Sequence, residues 1–152
     1  MNFDFNFFEY ILTYNSIKRS TYFSTIVEHI NPSYFDNGCI KTILFKIKEF
    51  YNEHKTVPNL TEIKSRLAND QEKQHFKQLL LEFQKLDTEY NEDELIKNTE
   101  YFLKTKAVYN AVLNTANTIG QNKEVDLSKT LKLFENACGI TLIDNFGLDY
   151  ID

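Results

Sequence analysis

The side chains that could perform chemistry are few and widely separated. A phosphate-binding loop needs glycines that let the backbone wrap the phosphates, followed by Lys and Ser or Thr. The four glycines are Gly38, Gly120, Gly139 and Gly147, and none of them opens or closes a G-x-x-x-x-G-K-[ST] run. The histidines, His29, His54 and His75, each stand without a second ligand at i+3 or i+4, which gives no local metal site. Cys39 and Cys138 lie far apart and form no C-x-x-C pair, so they read as small core residues of a reducing compartment. The densest acidic cluster is Glu89, Glu92, Asp93 and Glu94. Its place ahead of a long helical stretch is explained by the positive end of the helix dipole rather than by paired-carboxylate catalysis. No G-x-S-x-G nucleophile motif occurs. The expectation is therefore a chain with no catalytic, metal or cofactor residues of its own. An enzyme reading, a small helical hydrolase or nuclease working through carboxylates, would need metal-dependent turnover that chelator abolishes.

Binding chemistry has one weak local signal. Lys104 and Lys106 stand among Tyr101, Phe102 and Tyr109. Interleaved cations and aromatics can hold single-stranded nucleic acid by stacking, but aromatics at this spacing also build cores and interfaces. The net charge of −5 argues against a duplex-binding module.

The elements that must position these residues are helical. The 152 residues contain only 4 Gly and 2 Pro among long periodic stretches, which predicts helices joined by short connections. Apolar residues at 3-4 spacing predict helices near 4–14 and 21–30, the latter ended by Asn31-Pro32. Ile40, Ile43, Leu44, Ile47, Phe50 and Tyr51 form the clearest stripe. Asn59 and Glu62 match a capping box that opens the next helix. Phe76, Leu79, Leu80, Phe83 and Leu86 mark another, near 71–86.

Residues 91–120 form the longest candidate, capped by Asn91 or Asp93 and stopped at Gly120, roughly 45 Å of helix. Its apolar positions are too many for one face. Leu95, Phe102, Tyr109, Leu113 and Ala116 make one stripe; Tyr101, Val108, Val112 and Ile119 make a second; Ile96, Leu103 and Ala107 lie on a third side. Such a helix must pack on more than one neighbour. Asp126 caps a last helix whose seam is Leu127, Leu131, Phe134 and Cys138, closed by Gly139. The short connection predicts an antiparallel helical hairpin. Two readings of that hairpin stand: it packs back on its own domain, or it forms an oligomer interface. The candidate hairpin and interface residues are Phe102, Tyr109, Leu113, Leu131 and Phe134. The expected organisation is an all-α fold: a globular helical bundle over 1–90, the hairpin of the same domain over 91–139, and the start of a linker over 140–152. That last stretch mixes Ile140, Leu142, Phe146 and Tyr150 with Asp144, Asp149 and Asp152 without periodicity. The opening residues carry no basic n-region and no apolar run reaches the roughly 20 residues of a membrane span, so a cytoplasmic protein without a membrane partner is expected.

Two stretches carry a family resemblance. The first is Pro32-Ser33-Tyr34-Phe35, the helix from Gly38 to Tyr51, and Lys55-Thr56-Val57-Pro58-Asn59-Leu60-Thr61. The second, more specific, is Asn98-Thr99-Glu100-Tyr101-Phe102 with Lys106-Ala107-Val108-Tyr109-Asn110-Ala111, together with the ending Phe146-Gly147-Leu148-Asp149-Tyr150. They resemble the N-terminal domain of DnaB-type replicative helicases, in the T-even phage branch, over nearly the whole chain. One departure is Leu148, where that family commonly has His. The resemblance implies a collar domain that self-associates as dimer or trimer, and as hexamer in the parent protein. It further implies recruitment of primase, contact with a helicase loader, and enclosure of single-stranded DNA in the host cytoplasm. ATP and Mg would belong to a RecA-like motor domain beyond this chain. The competing expectation is a standalone helical phage adaptor or host-takeover protein, and a reading frame continuing into a phosphate-binding loop separates the two.

Overall fold

In the computed structural model the described residues are 3–87 and 89–142. Among them there are seven α-helices and no strand: α1 (Phe5–Lys18), α2 (Ser20–Ile26), α3 (Gly38–His54), α4 (Leu60–Ser65), α5 (Asp70–Phe83), α6 (Glu92–Gly120) and α7 (Leu127–Cys138). The all-α class expected from the periodicity is what the chain adopts. No described helix is long and apolar enough to cross a membrane. The chain divides into two compact units, Met1–Tyr90 and Asn91–Asp152.

The helix boundaries follow from local capping chemistry. Asn59 Oδ1 accepts the Glu62 N–H at 2.8 Å while Glu62 Oε1 accepts the Asn59 N–H at 2.9 Å, the reciprocal pair expected from their spacing. Asn91, not Asp93, caps α6 by accepting the Glu94 N–H, and Asp126 caps α7 by accepting the Lys129 N–H, each at 3.0 Å. The stretch expected to be helical to residue 30 is a shorter α2 followed by 3-10 turns at Val27–His29 and Pro32–Tyr34. Asn31, extended ahead of Pro32, separates those turns.

In the first unit, α3 is the hub that touches α1, α4 and α5. Its stripe of Ile40, Ile43, Leu44, Ile47 and Phe50 is buried, together with Phe8 and Leu12 of α1, Phe23 and Ile26 of α2, and Phe76 and Leu79 of α5. The α1 helix also buries polar side chains: Glu9, Thr13, Asn15 and Ser16. Thr13, Asn15 and Ser16 donate to the carbonyls of Glu9, Ile11 and Leu12, one turn back, so they enter the core without orphaned donors. Glu9, also buried, reaches instead to the segment ahead of α3, accepting the backbone N–H groups of Asp36 and Asn37 at 3.0 and 3.1 Å.

In the second unit α7 is packed on α6 through the connection 121–126. Asn122, at φ 57°, makes the turn: its N–H donates to Ile119 and that of Lys123 to Thr118. This is a Schellman arrangement with asparagine in the left-handed position. Gly120, expected to be the stop, is the last residue of α6, and a Cβ there would meet open space. Gly139 differs, since a Cβ there would stand 3.1 Å from the Glu135 carbonyl oxygen.

Candidate oligomer and partner interface

The second unit sorts its apolar residues along the length of α6. Toward the N-terminal end, Leu95, Ile96, Thr99, Phe102 and Leu103 are buried. Past Ala107 the helix changes character. Tyr109 is 59% exposed, and Val112, Leu113 and Ile119 are also exposed. These positions, with Ala116, repeat at i, i+3, i+4, i+7 and i+10, so they form one continuous face. The α7 helix does the same: Leu127 and Leu131 are 78% and 61% exposed, Cys138 is exposed and Phe134 is half-buried one turn beyond Leu131.

What lines the space between the two helices is mostly small or polar, with Val125 and Leu133 as its apolar members. Asn114, Thr115 and Thr118 of α6 line a 260 Å³ cavity together with Lys129, Thr130 and Leu133 of α7. Thr115 and Thr118 donate to the Ala111 and Asn114 carbonyls at 2.9 and 3.0 Å. Ala111 and Ala137 are buried. In this part of the unit half-buried Thr115, Thr118 and Thr130 share the seam with Leu133, while Tyr109, Leu113, Ile119, Leu127 and Leu131 stand in water. Returning the exposed part of one such side chain to an apolar contact contributes about 1 kcal/mol, so several together amount to a substantial association energy.

The chain after α7 is tied back to α6. Glu100 Oε1 accepts the Leu142 N–H at 2.8 Å, while its other oxygen stands 3.7 Å from Lys104 Nζ. Ile140 and Leu142 are buried. The stretch read as the start of a linker is therefore docked through residue 142; residues 143–152, including Leu148, lie outside the described residues.

The five residues singled out from the sequence are distributed unequally. Tyr109, Leu113 and Leu131 are on the exposed face and Phe134 is at its edge, whereas Phe102 is fully buried and belongs to the interior. Tyr101, Val112, Ile119 and Leu127 are exposed as well, and Glu100 is the tether that patterning alone missed. The cation–aromatic cluster is also divided: the Lys106 ammonium lies 5.7 Å from the centre of the buried Phe102 ring, and Lys104 is beside Glu100. Phe102 therefore offers no free face on which a base could stack.

In the first unit a cleft of 1300 Å³ separates the start of α3 from α5 and includes Cys39, His75 and Glu72 in its walls. The Asn37 side chain accepts the N–H groups of Cys39 and Ile40, so the helix end is already satisfied. Burial pushes the Cys39 thiol up to about 11, which keeps it protonated and poorly nucleophilic near neutrality. Among the described residues no three His, Cys, Asp or Glu side chains converge as metal ligands would. No protein-family model matches the chain, and no curated protein matches it.

Proposed function

We propose that this chain is the N-terminal collar domain of a DnaB-type phage replicative helicase. In this reading α6 and α7 are that family's antiparallel hairpin, and their outward faces join copies into a ring. The ring encloses single-stranded DNA and recruits primase, with helicase-loader contacts on the same assembly. Unwinding of duplex DNA with ATP and Mg belongs to a RecA-like motor domain of the parent protein.

The observation that carries this reading is the exposed apolar face of Tyr109, Val112, Leu113 and Ile119 on α6, matched by Leu127 and Leu131 on α7. A helix pair that leaves its tyrosine, isoleucine and leucines this exposed is complete only when another apolar surface covers it. The more specific of the two family-like stretches, Asn98 to Ala111, lies wholly on α6 and leads into that face.

The test is the solution mass of the protein over a range of concentrations, by light scattering. The wild type is expected to be a dimer or larger, and Tyr109→Asp or Leu131→Asp a monomer with unchanged helical circular dichroism. A monomeric wild type at high concentration, or variants with unaltered mass, would overturn the reading.

A further inference from the structure

The α7 helix has little of its own to hold it on α6. Of its twelve residues only Ala137 is buried. Leu133 is 38% exposed, Phe134 is half-buried, and Leu127 and Leu131 stand in water. The cavity between the helices is lined mostly by threonine, asparagine and charged side chains. A seam covered this thinly contributes little apolar energy to keeping one helix on the other.

The stronger hold lies just past the helix. Beyond Gly120 the buried side chains of the described residues are Ala137, Ile140 and Leu142, and the last two follow α7. Thr141 between them is exposed, the alternation of a chain laid flat on a surface. Leu142 is 0% exposed, and its N–H donates to Glu100 Oε1 at 2.8 Å across 42 positions of sequence. The second Glu100 oxygen stands 3.7 Å from Lys104 Nζ, on the same helix. The α7 helix is thus fastened at its two ends, covalently through the turn at Asn122 and by the short segment 140–142.

We propose that residues 140–142 form a clasp that governs whether α7 lies on α6, with Glu100 as its positioning residue. While the Leu142 N–H rests on the Glu100 carboxylate, Ile140 and Leu142 stay buried and the end of α7 is pinned beside the proximal half of α6. Without that acceptor, an N–H next to a fully buried side chain must reach water, which draws Leu142 out with it. The α7 helix then keeps only its turn and a thinly covered seam, and it leaves α6 as a local opening within the second unit. Leu127 and Leu131 ride on α7, so the clasp also decides whether they stand beside the exposed face of α6. The clasp is a device of one chain and does not rest on the collar reading.

The test is amide hydrogen exchange of the full chain, read by peptide mass, for the wild type, Glu100→Ala, Glu100→Gln, Lys104→Ala and Leu142→Ala. Glutamine keeps a side-chain oxygen that can accept the Leu142 N–H, so Glu100→Gln and Lys104→Ala are expected to exchange as the wild type does. Glu100→Ala is expected to speed exchange over 127–138 about tenfold while exchange in α3 stays unchanged. Leu142→Ala keeps the N–H and removes the buried side chain; it is expected to give the same pattern, and it carries the test if Glu100→Ala fails to fold. Unaltered exchange over 127–138 in these two variants would overturn the proposal, as would a wild-type α7 that is already unprotected. A rise shared equally by α3 would also overturn it, by making Glu100 a contributor to global stability alone. Equal effects of glutamine and alanine at position 100 would do the same, by assigning the effect to the Lys104 pair. A monomeric wild type, which would sink the collar reading, leaves each of these outcomes readable.

Discussion

The Glu9 carboxylate accepts the backbone N–H of Asn37 at 3.1 Å, with Glu9 only 1% exposed, and so ties α1 to the start of α3 across 28 positions of sequence. The other oxygen takes the Asp36 N–H, and the Asn37 side chain donates to Tyr10 Oη at 3.0 Å. Glu9→Gln keeps the shape but turns one acceptor into a donor facing an N–H group. A loss of about 1–3 kcal/mol is expected, read as a lower urea midpoint with an unchanged slope. An unchanged midpoint would show that the two N–H groups find water instead.

Phe102 and Tyr109 are one heptad apart on α6 and should respond in opposite ways. Phe102→Ala, at a fully buried ring, is expected to cost about 3–5 kcal/mol in denaturant unfolding. Tyr109→Ser, on the exposed face, should shift monomer stability by no more than about 0.5 kcal/mol while lowering the solution mass. Comparable destabilisation by both would mean that the Tyr109 face is covered within the monomer.

The two cysteines are expected to separate by reactivity. Cys138 is exposed, whereas Cys39 is half-buried and its thiol is pushed up to about 11. At pH 8 only roughly one Cys39 thiol in a thousand is ionised in the folded state. A thiol reagent should label Cys138 first in the native protein, and both in denaturant. Because the folded value lies above that of the unfolded chain, the sign is fixed: this group's contribution to stability is complete below the unfolded pKa and is lost as pH rises through 11. Equal native labelling rates would contradict this.

Lys55 ends α3 at φ 60°, a left-handed position that a side chain with Cβ occupies at a cost of about 1 kcal/mol. Lys55→Gly is expected to be neutral or stabilising by up to about 1 kcal/mol, and Lys55→Val destabilising, in thermal unfolding. A glycine variant clearly less stable than the wild type would show that the lysine makes compensating interactions.

Much of the helical skeleton was legible because it rests on local rules. Asn59 with Glu62, Asn91, Asp126 and the α3 stripe state their roles within a few residues of sequence. The left-handed turns were not, because Lys55 and Asn122 occupy positions for which glycine is the usual signal. Glu9 and Glu100 were illegible for another reason. Each carboxylate satisfies a backbone group many residues away, and such a partner exists only after folding. A trace was present in Glu9, Thr13 and Ser16, which recur at helical spacing and so place a polar strip beside the apolar one on α1. The pattern gave both α6 and α7 but could not rank their faces. The stripe containing Phe102 and Tyr109 is continuous in sequence, and only packing divides it into an interior half and an exposed half.

That division makes α6 an uneven clock for amide hydrogen exchange. Around Leu95 to Leu103, opening the helix must also expose buried side chains, so deuterium should enter slowly there. Around Val112 to Ile119 the helix can fray and re-form without disturbing large apolar contacts, so exchange should be fast. Covering the face would bring the distal turns closer to the rhythm of the proximal ones, and the difference in exchange along one helix would then report occupancy of a surface many residues away.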